Sequence, residues 1–178
     1  MMNIYLMIFL KNGIGVIIMT NEIIRLIEEE LIFLEDAKDN IEVFEKVGTE
    51  LLRKGLVKYN FVEELIKREK AYPTGMNMKF AHNDDSVPNI AIPHTEVEYC
   101  NTQKLVVVNL KNEVKFRNMI NPEESLEVKF LFIILNNCKT IQTNMLSDIM
   151  SFLSVKQNLV KLSYADNPKK IYNVLIRS

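Results

Sequence analysis

Residues 128–135 read VKFLFIIL, a nearly unbroken apolar run that is interrupted only by Lys129. The run has the length of a strand and is rich in β-branched and aromatic residues. A strand with apolar residues on both faces is typical of the middle of a sheet that is covered on both sides. This stretch therefore predicts a central strand.

Apolar runs on the N-terminal side of this stretch predict further strands at 31–34, 89–92 and 105–110. Helical spacing of apolar residues predicts helices at 41–51, 60–70, 142–153 and 167–175. Because strands and helices alternate along the chain, we expect an α/β fold in which helices flank a mixed sheet.

Several local signals refine these elements. Lys54-Gly55 predicts a helix stop, and Asn60 with Glu63 resembles a capping box at the start of the next helix. Residues 71–89 are rich in turn formers and lack periodicity, which predicts a long irregular loop of functional importance. The spacing of Gln142, Leu146, Ile149 and Leu153 predicts that they share the core side of their helix.

The composition limits the function. A chain of 178 residues fits a single domain, and 48% apolar with 25% charged residues excludes disordered and fibrous proteins. A net charge of -1 without a long basic run gives no surface for nucleic acid, so we expect no such partner. Cys100 and Cys138 have neither disulfide nor zinc-ligand spacing. We expect reduced thiols in the cytoplasm and no metal or other cofactor.

Residues 1–18 read MMNIYLMIFLKNGIGVII, an apolar segment interrupted by Lys11-Asn12-Gly13. The segment lacks the basic start and the cleavage site of a signal peptide, and its interruption argues against a membrane span. We interpret residues 1–18 as an extension and 19–178 as the domain. Starts at Met1 and at Met19 both stay open.

One of the two histidines, His94, lies in NIAIPHT at 89–95, directly after a proline. Proline has no N–H to donate and a fixed φ, so regular strand pairing stops there. The next side chain is then presented at the rim of the sheet. Without further context, a histidine in such a place is more often structural than reactive.

The order of motifs before His94 adds that context. IAIPHT at 90–95 follows Arg68-Glu69 and Tyr72-Pro73-Thr74-Gly75. An Arg-Glu helix end, a loop with threonine and a strand ending in Pro-His resemble the fructose, mannitol and galactitol types of enzyme IIA in the bacterial sugar phosphotransferase system. Phe116-Arg117-Asn118-Met119, and Thr95 after the histidine, are most similar to the galactitol type.

The resemblance covers about residues 30–160 and implies the mixed-sheet fold of the mannitol and fructose enzymes IIA. It also implies a phosphocarrier: HPr donates a phosphoryl group to His94, which passes it to a cysteine of an enzyme IIB that serves a membrane component IIC. In this family the attacking atom is Nε2, and a backbone carbonyl holds Nδ1–H. A neutral imidazole suits this attack, and the transfer requires alignment and charge stabilisation rather than a metal.

The resemblance implies roles for three more residues. Arg68 holds phosphate oxygens, and the hydroxyl of Thr74 donates from the adjoining loop. Gln142 stands four residues before Leu146, where mannitol and fructose types usually have a second histidine, and an amide there has only an orienting role. Arg68 as an ordinary helix-end cation and Gln142 as an ordinary polar residue are the alternatives. His82 lies in a polar loop, where we expect it to be solvated.

Two other functions stay open. One is a regulatory module in which phosphorylated His94 controls a partner protein. The other is an inactive relative used as an interaction surface, against which the presence of His94 and Arg68 argues. No helix-turn-helix motif or second domain is recognisable in the sequence, which favours the uptake of a sugar or sugar alcohol.

Overall fold

The computed structural model describes residues 21–138 and 142–177, without the side chains of residues 21, 22 and 142–144. A five-stranded sheet forms the middle of the protein. Its strands are β1 (Ile27–Glu35), β2 (Gly75–Met76), β3 (Asn89–Ala91), β4 (Lys104–Arg117) and β5 (Ser125–Leu135). Their order across the sheet is β1-β4-β5-β3-β2. β1 pairs with β4, and β3 with β5, in parallel, whereas β4 with β5 and β2 with β3 are antiparallel.

The described helices are α1 (Asn21–Ile24), α2 (Asn40–Arg53), α3 (Phe61–Ala71), α4 (Met78–His82), α5 (Gln142–Leu153), α6 (Lys156–Ser163) and α7 (Pro168–Arg177). α2 ends before Gly55, which has φ +72°. Glycine adopts this left-handed conformation without steric cost, so the predicted stop is confirmed. Within the described ranges, no helix is both long and apolar enough to cross a membrane.

Helices cover both faces of the sheet, because alternate residues of each strand point to opposite sides. On one face, α2 and α3 pack on Val106, Val108, Leu131 and Ile133. On the other face, α5, α6 and α7 pack on Leu105, Val107, Phe130 and Phe132. Complete burial of each such side chain contributes about 1.5–3 kcal/mol. The predicted α/β fold with a flanked mixed sheet and a central strand at 128–135 is confirmed.

The prediction of an irregular tract at 71–89 is wrong, because β2 and α4 lie within it. The Asn89 side-chain oxygen accepts from the backbone N–H groups of Met78 and Lys79, at 3.0 and 3.3 Å. Asn77 accepts from the Phe80 N–H at 3.0 Å and caps the same helix. Polar side chains thus stabilise a short helix that has too few residues to show periodicity.

Three local expectations also need correction. Asn60 is the N-cap of α3, but its side chain makes no capping hydrogen bond. Ile149 and Leu153 of α5 are buried as predicted, but Leu146 is 38% exposed and Met145 is buried instead. β4 extends well beyond 105–110, and its pairing with β5 shifts register between Asn109 and Val114.

Candidate functional site

His94 lies where the chain leaves β3 beside the end of β5. The Pro93 carbonyl accepts a hydrogen bond from the Ile134 N–H at 3.0 Å, and His94 forms an isolated parallel bridge with Ile134. The Ile92 N–H donates to the Thr74 carbonyl at 3.3 Å. The backbone on both sides of Pro93 is therefore held in place although the regular strand ends at Ala91. The His94 side chain is half-buried at this end of the sheet.

Both ring nitrogens of His94 have a partner. Nδ1 lies 3.0 Å from the Ile92 carbonyl oxygen, and Nε2 lies 2.7 Å from Nη2 of Arg68. A guanidinium group only donates hydrogen bonds, so Nε2 must accept with its lone pair. The hydrogen of the neutral ring is then on Nδ1 and is donated to Ile92. This assigns the tautomer that leaves Nε2 unprotonated.

Burial lowers the pKa of His94 below its ordinary value of 6.5, and the charge of Arg68 lowers this pKa further. The Ile92 carbonyl and the Glu96 carboxylate oppose the decrease. Because the pKa lies below 6.5, the ring is mostly neutral at pH 7. A neutral ring with an unprotonated Nε2 is able to attack an electrophile.

Arg68 lies in the last turn of α3 and has hydrogen-bonding capacity to spare. Its guanidinium carbon is 5.1 Å from the centre of the Tyr72 ring, and Nε is 4.0 Å from a Glu96 carboxylate oxygen. The Nε atom is buried and has no hydrogen-bond partner among the described residues. Such a group can donate to the oxygens of an anion bound beside His94.

Glu69 is a residue of this site to which the sequence prediction gave no role. It is 5% exposed, and its carboxylate accepts hydrogen bonds from the Thr74 N–H at 3.0 Å and the Thr74 hydroxyl at 2.7 Å. Burial raises the pKa of Glu69 to about 7, although the bonds from Thr74 and the charge of Arg68 oppose this increase. The sequence signal was its spacing from Phe61 and Leu65, which places all three on the buried face of α3.

The other predicted residues have different positions. The hydroxyl hydrogen of Thr74 is donated to Glu69, so its contact with phosphate stays a prediction. Gln142 is the first residue of α5, but its side chain lies outside the described residues. His82 is not simply solvated: its Nε2 lies 2.9 Å from the Leu153 carbonyl oxygen and connects α4 with α5.

The fold and this site define a small α/β protein with a mostly neutral histidine, unprotonated at Nε2, beside an arginine. The profile of the family described as "Phosphoenolpyruvate-dependent sugar phosphotransferase system, EIIA 2" matches residues 25–178. The chain belongs to this family of phosphotransferase components, and the resemblance found in the sequence is confirmed.

Individual relatives agree with this assignment. The galactitol-specific EIIA component of Escherichia coli strain K12 is 33% identical over 79 residues, which are 44% of this chain and 48% of that protein. The chain thus matches about half the length of this curated relative.

Two solved structures share the fold. The complex of mannitol enzyme IIA with phosphorylated enzyme IIB from Escherichia coli matches with a TM-score of 0.64 at 20% identity, over 84% of this chain and 98% of that one. Nitrogen regulatory protein IIA-Ntr from Neisseria meningitidis matches with a TM-score of 0.67 at 20% identity, over 86% and 99%. At these identities the likeness concerns the fold alone.

Proposed function

We propose that this protein is a cytoplasmic phosphocarrier of the sugar phosphotransferase system and that His94 accepts the phosphoryl group. The observation that carries the proposal is the pair of contacts on the His94 ring. The Ile92 carbonyl accepts from Nδ1 at 3.0 Å, and Arg68 donates to Nε2 at 2.7 Å. Together they leave a lone pair on Nε2 next to a cation.

The transfer is a displacement at phosphorus. The Nε2 lone pair forms a bond to the phosphorus of phospho-HPr, and the P–N bond of the donor breaks with its electron pair returning to the HPr imidazole. Arg68 leaves the Nε2 lone pair and donates to the phosphoryl oxygens, for which its buried Nε–H is a further donor. In the next step, a cysteine thiolate of enzyme IIB attacks the phosphorus and the electron pair of the P–N bond returns to His94.

Two residues have lesser parts in this proposal. Gln142, at the start of α5, orients the phosphoryl group through its amide. A phosphate contact by Thr74 requires that its hydroxyl leave Glu69, so this contact is confined to the phosphorylated state. Residues 19–178 form the phosphocarrier domain, which includes the matched residues 25–178.

The transported compound is proposed to be galactitol or a related sugar alcohol. Support for this comes from the 33% identity to the galactitol-specific EIIA component over 79 residues. A IIA protein hands its phosphoryl group to enzyme IIB and does not contact the sugar. The chemical identity of the sugar therefore depends on the cognate IIB and IIC components.

The test is transfer of 32P from phosphoenolpyruvate through enzyme I and HPr to the purified protein. We expect an acid-labile, alkali-stable label on the wild-type protein, as is typical of phosphohistidine, and no label on His94→Ala. Arg53→Ala, in an exposed part of α2, is a matched control. Absence of label on the folded wild-type protein, with another enzyme IIA labelled in parallel, would contradict the proposal.

A regulatory function is the second candidate, and the fold similarity to nitrogen regulatory protein IIA-Ntr favours it. The two candidates differ in the fate of the phosphoryl group. Addition of a galactitol-type enzyme IIB should discharge the labelled protein if it serves transport. A labelled protein that keeps its phosphoryl group with every such IIB would favour the regulatory module.

A further inference from the structure

A chain of hydrogen bonds runs from the buried face of α3 to the His94 ring. Glu69 accepts from the Thr74 N–H at 3.0 Å and from the Thr74 hydroxyl at 2.7 Å. The Thr74 carbonyl accepts from the Ile92 N–H at 3.3 Å. The Ile92 carbonyl lies 3.0 Å from Nδ1 of His94, to which it is hydrogen-bonded. Glu69 is thus connected to the ring although it does not contact it.

We propose that Glu69 is a positioning residue that keeps the Ile92 carbonyl against Nδ1 of His94 and thereby keeps Nε2 unprotonated. This inference rests on the proposed function of His94 as the phosphoryl acceptor. Glu69 acts through Thr74, whose backbone it holds at the start of β2. β5 holds β3 on one side, and the Ile92 N–H is bonded to the Thr74 carbonyl on the other, so a shift of Thr74 would move the Ile92 backbone relative to His94.

The segment after Thr74 needs such an anchor. β2 has two residues, and a strand of this length does not hold its own position. Its Gly75 is packed closely, since a Cβ atom there would lie 2.5 Å from the Arg117 carbonyl oxygen. The Met119 N–H donates to the Gly75 carbonyl at 2.8 Å. Glu69 holds this segment from α3, and the Met119 N–H holds it from the chain just after β4.

A carboxylate at this place is otherwise hard to explain. Glu69 follows Phe61 and Leu65 on the buried face of α3, where an apolar residue would avoid the cost of burying a charge. Both carboxylate oxygens accept a hydrogen bond from one residue, Thr74. Both hydrogen bonds of this buried side chain thus hold Thr74, which supports a role for Glu69 in fixing the backbone of the segment that begins at Thr74.

The position of the Ile92 carbonyl matters because it selects the tautomer. If this carbonyl moves away, Nδ1 loses its acceptor and the ring hydrogen is free to move to Nε2. A protonated Nε2 has no lone pair for phosphorus, and its hydrogen points at the Arg68 guanidinium. We therefore expect loss of Glu69 to slow the chemical step without weakening the binding of HPr.

The test combines the His94 tautomer, measured by two-bond 1H–15N correlation NMR on the full chain, with the kinetics of transfer from phospho-HPr. Glu69→Met removes both carboxylate oxygens that accept from Thr74 but keeps a side chain of similar length. Glu69→Gln keeps one acceptor oxygen. Glu63→Gln, exposed on the same helix, is the matched control. For Glu69→Met we expect a shift towards the Nε2–H tautomer and a kcat about tenfold lower at unchanged KM for phospho-HPr. Glu69→Gln should have a tautomer ratio and a kcat close to those of the wild-type protein, and Glu63→Gln should match the wild type in both quantities.

A folded Glu69→Met protein with the wild-type tautomer ratio overturns the proposal. If Glu69→Met does not fold, as judged by circular dichroism, Thr74→Val and Thr74→Ser decide instead, because only serine keeps the hydroxyl donor. A tautomer shift in Thr74→Val that is absent in Thr74→Ser supports the proposal, and equal ratios overturn it. A wild-type protein that takes no label disproves the proposed function, whereas the tautomer comparison still decides whether Glu69 positions the ring.

Discussion

The surroundings of the two histidines, His82 and His94, are alike in two respects and different in a third. Both side chains are half-buried, and each has a ring nitrogen close to a backbone carbonyl oxygen, that of Leu153 for His82 and that of Ile92 for His94. The other nitrogen of His94 lies 2.7 Å from the Arg68 guanidinium. For His82, the described contact connects the end of α4 to the end of α5.

The comparison shows that burial and a carbonyl partner do not by themselves indicate a reactive imidazole. They hold a ring in place equally well in a structural role. A cation at the second nitrogen adds two things, since it requires an unprotonated Nε2 and supplies charge for an incoming phosphoryl group. Variants of His82, His94 and the neighbours of His94 test this difference between the two histidines.

The largest expected effect is complete loss of phosphoryl acceptance in His94→Ala, whereas His82→Ala should accept one phosphoryl group per chain. The reason is that acceptance requires the Nε2 lone pair beside Arg68. The measurement is intact-protein mass spectrometry after incubation with phosphoenolpyruvate, enzyme I and HPr. Labelling of His94→Ala, or loss of labelling in folded His82→Ala, would reverse the assignment of the two histidines.

The second prediction concerns removal of the Arg68 cation beside His94. Arg68→Met should accept the phosphoryl group roughly 10³-fold more slowly, because charge stabilisation of the transferred group is lost. The pKa of His94 should increase in this variant, since the Arg68 charge lowers it in the wild-type protein.

Rapid-quench kinetics would measure the rate, and an NMR titration of the His94 ring would measure the pKa. Lys67→Met, which removes an exposed cation from the same helix, is the control and should change neither quantity. A rate in Arg68→Met within a few-fold of wild type would show that His94 does not depend on its cationic neighbour.

The third prediction concerns the buried Glu69 carboxyl group behind His94. Its pKa is raised from 4.5 to about 7, so between these pH values the folded chain binds a proton that the unfolded chain has lost. The contribution of Glu69 to the free energy of unfolding should therefore be largest below pH 4.5 and should be lost as the pH increases through 7.

Relative to Glu69→Gln, which does not titrate, the wild-type protein should lose on the order of 3 kcal/mol between pH 4.5 and 8. Urea unfolding at several pH values measures this difference. Parallel stability curves for the two proteins would mean that the pKa of Glu69 is ordinary.

The smallest expected effect belongs to His82. His82→Phe keeps a ring but removes the hydrogen bond between Nε2 and the Leu153 carbonyl, which should lower the free energy of unfolding by about 1 kcal/mol. Phosphoryl acceptance should be unchanged. A normal stability together with slower acceptance would indicate that His82, and not only His94, contributes to the transfer.

Much of the fold could be predicted because its signals are local or periodic. The run at 128–135 is buried on both faces apart from Lys129, as a central strand requires. Gly55 ends α2, and Pro168 begins α7. In contrast, the helix at Met78–His82 depends on Asn89, which lies eleven residues from Met78 in the chain. Periodicity carries no information on such a contact.

The site could be predicted in part. His94 and Arg68 were identified from motifs, and they lie together in the structure, while their roles stay a proposal. The motif that contains Glu69 predicts no role for it, although its spacing from Leu65 places it on a buried helix face. The hydroxyl of Thr74 was assigned to phosphate, but in the structure it donates to Glu69. A hydroxyl has one hydrogen, and its choice among acceptors depends on distances that the sequence does not contain.

The sequence by itself determined the α/β class, the central strand, the family and the identity of the two side chains that meet at the site. These follow from patterns of hydrophobicity and from residue types in a fixed order. The family resemblance implies the Nδ1–H tautomer of His94, but the contacts with Arg68 and Ile92 that select it, the burial of Glu69 and the contact of His82 with Leu153 come from the tertiary structure. These features depend on contacts that local sequence patterns do not show, such as that between Arg68 and His94, which are 26 positions apart. A hydrogen-bond partner is specified only when the fold brings two groups within about 3 Å of each other.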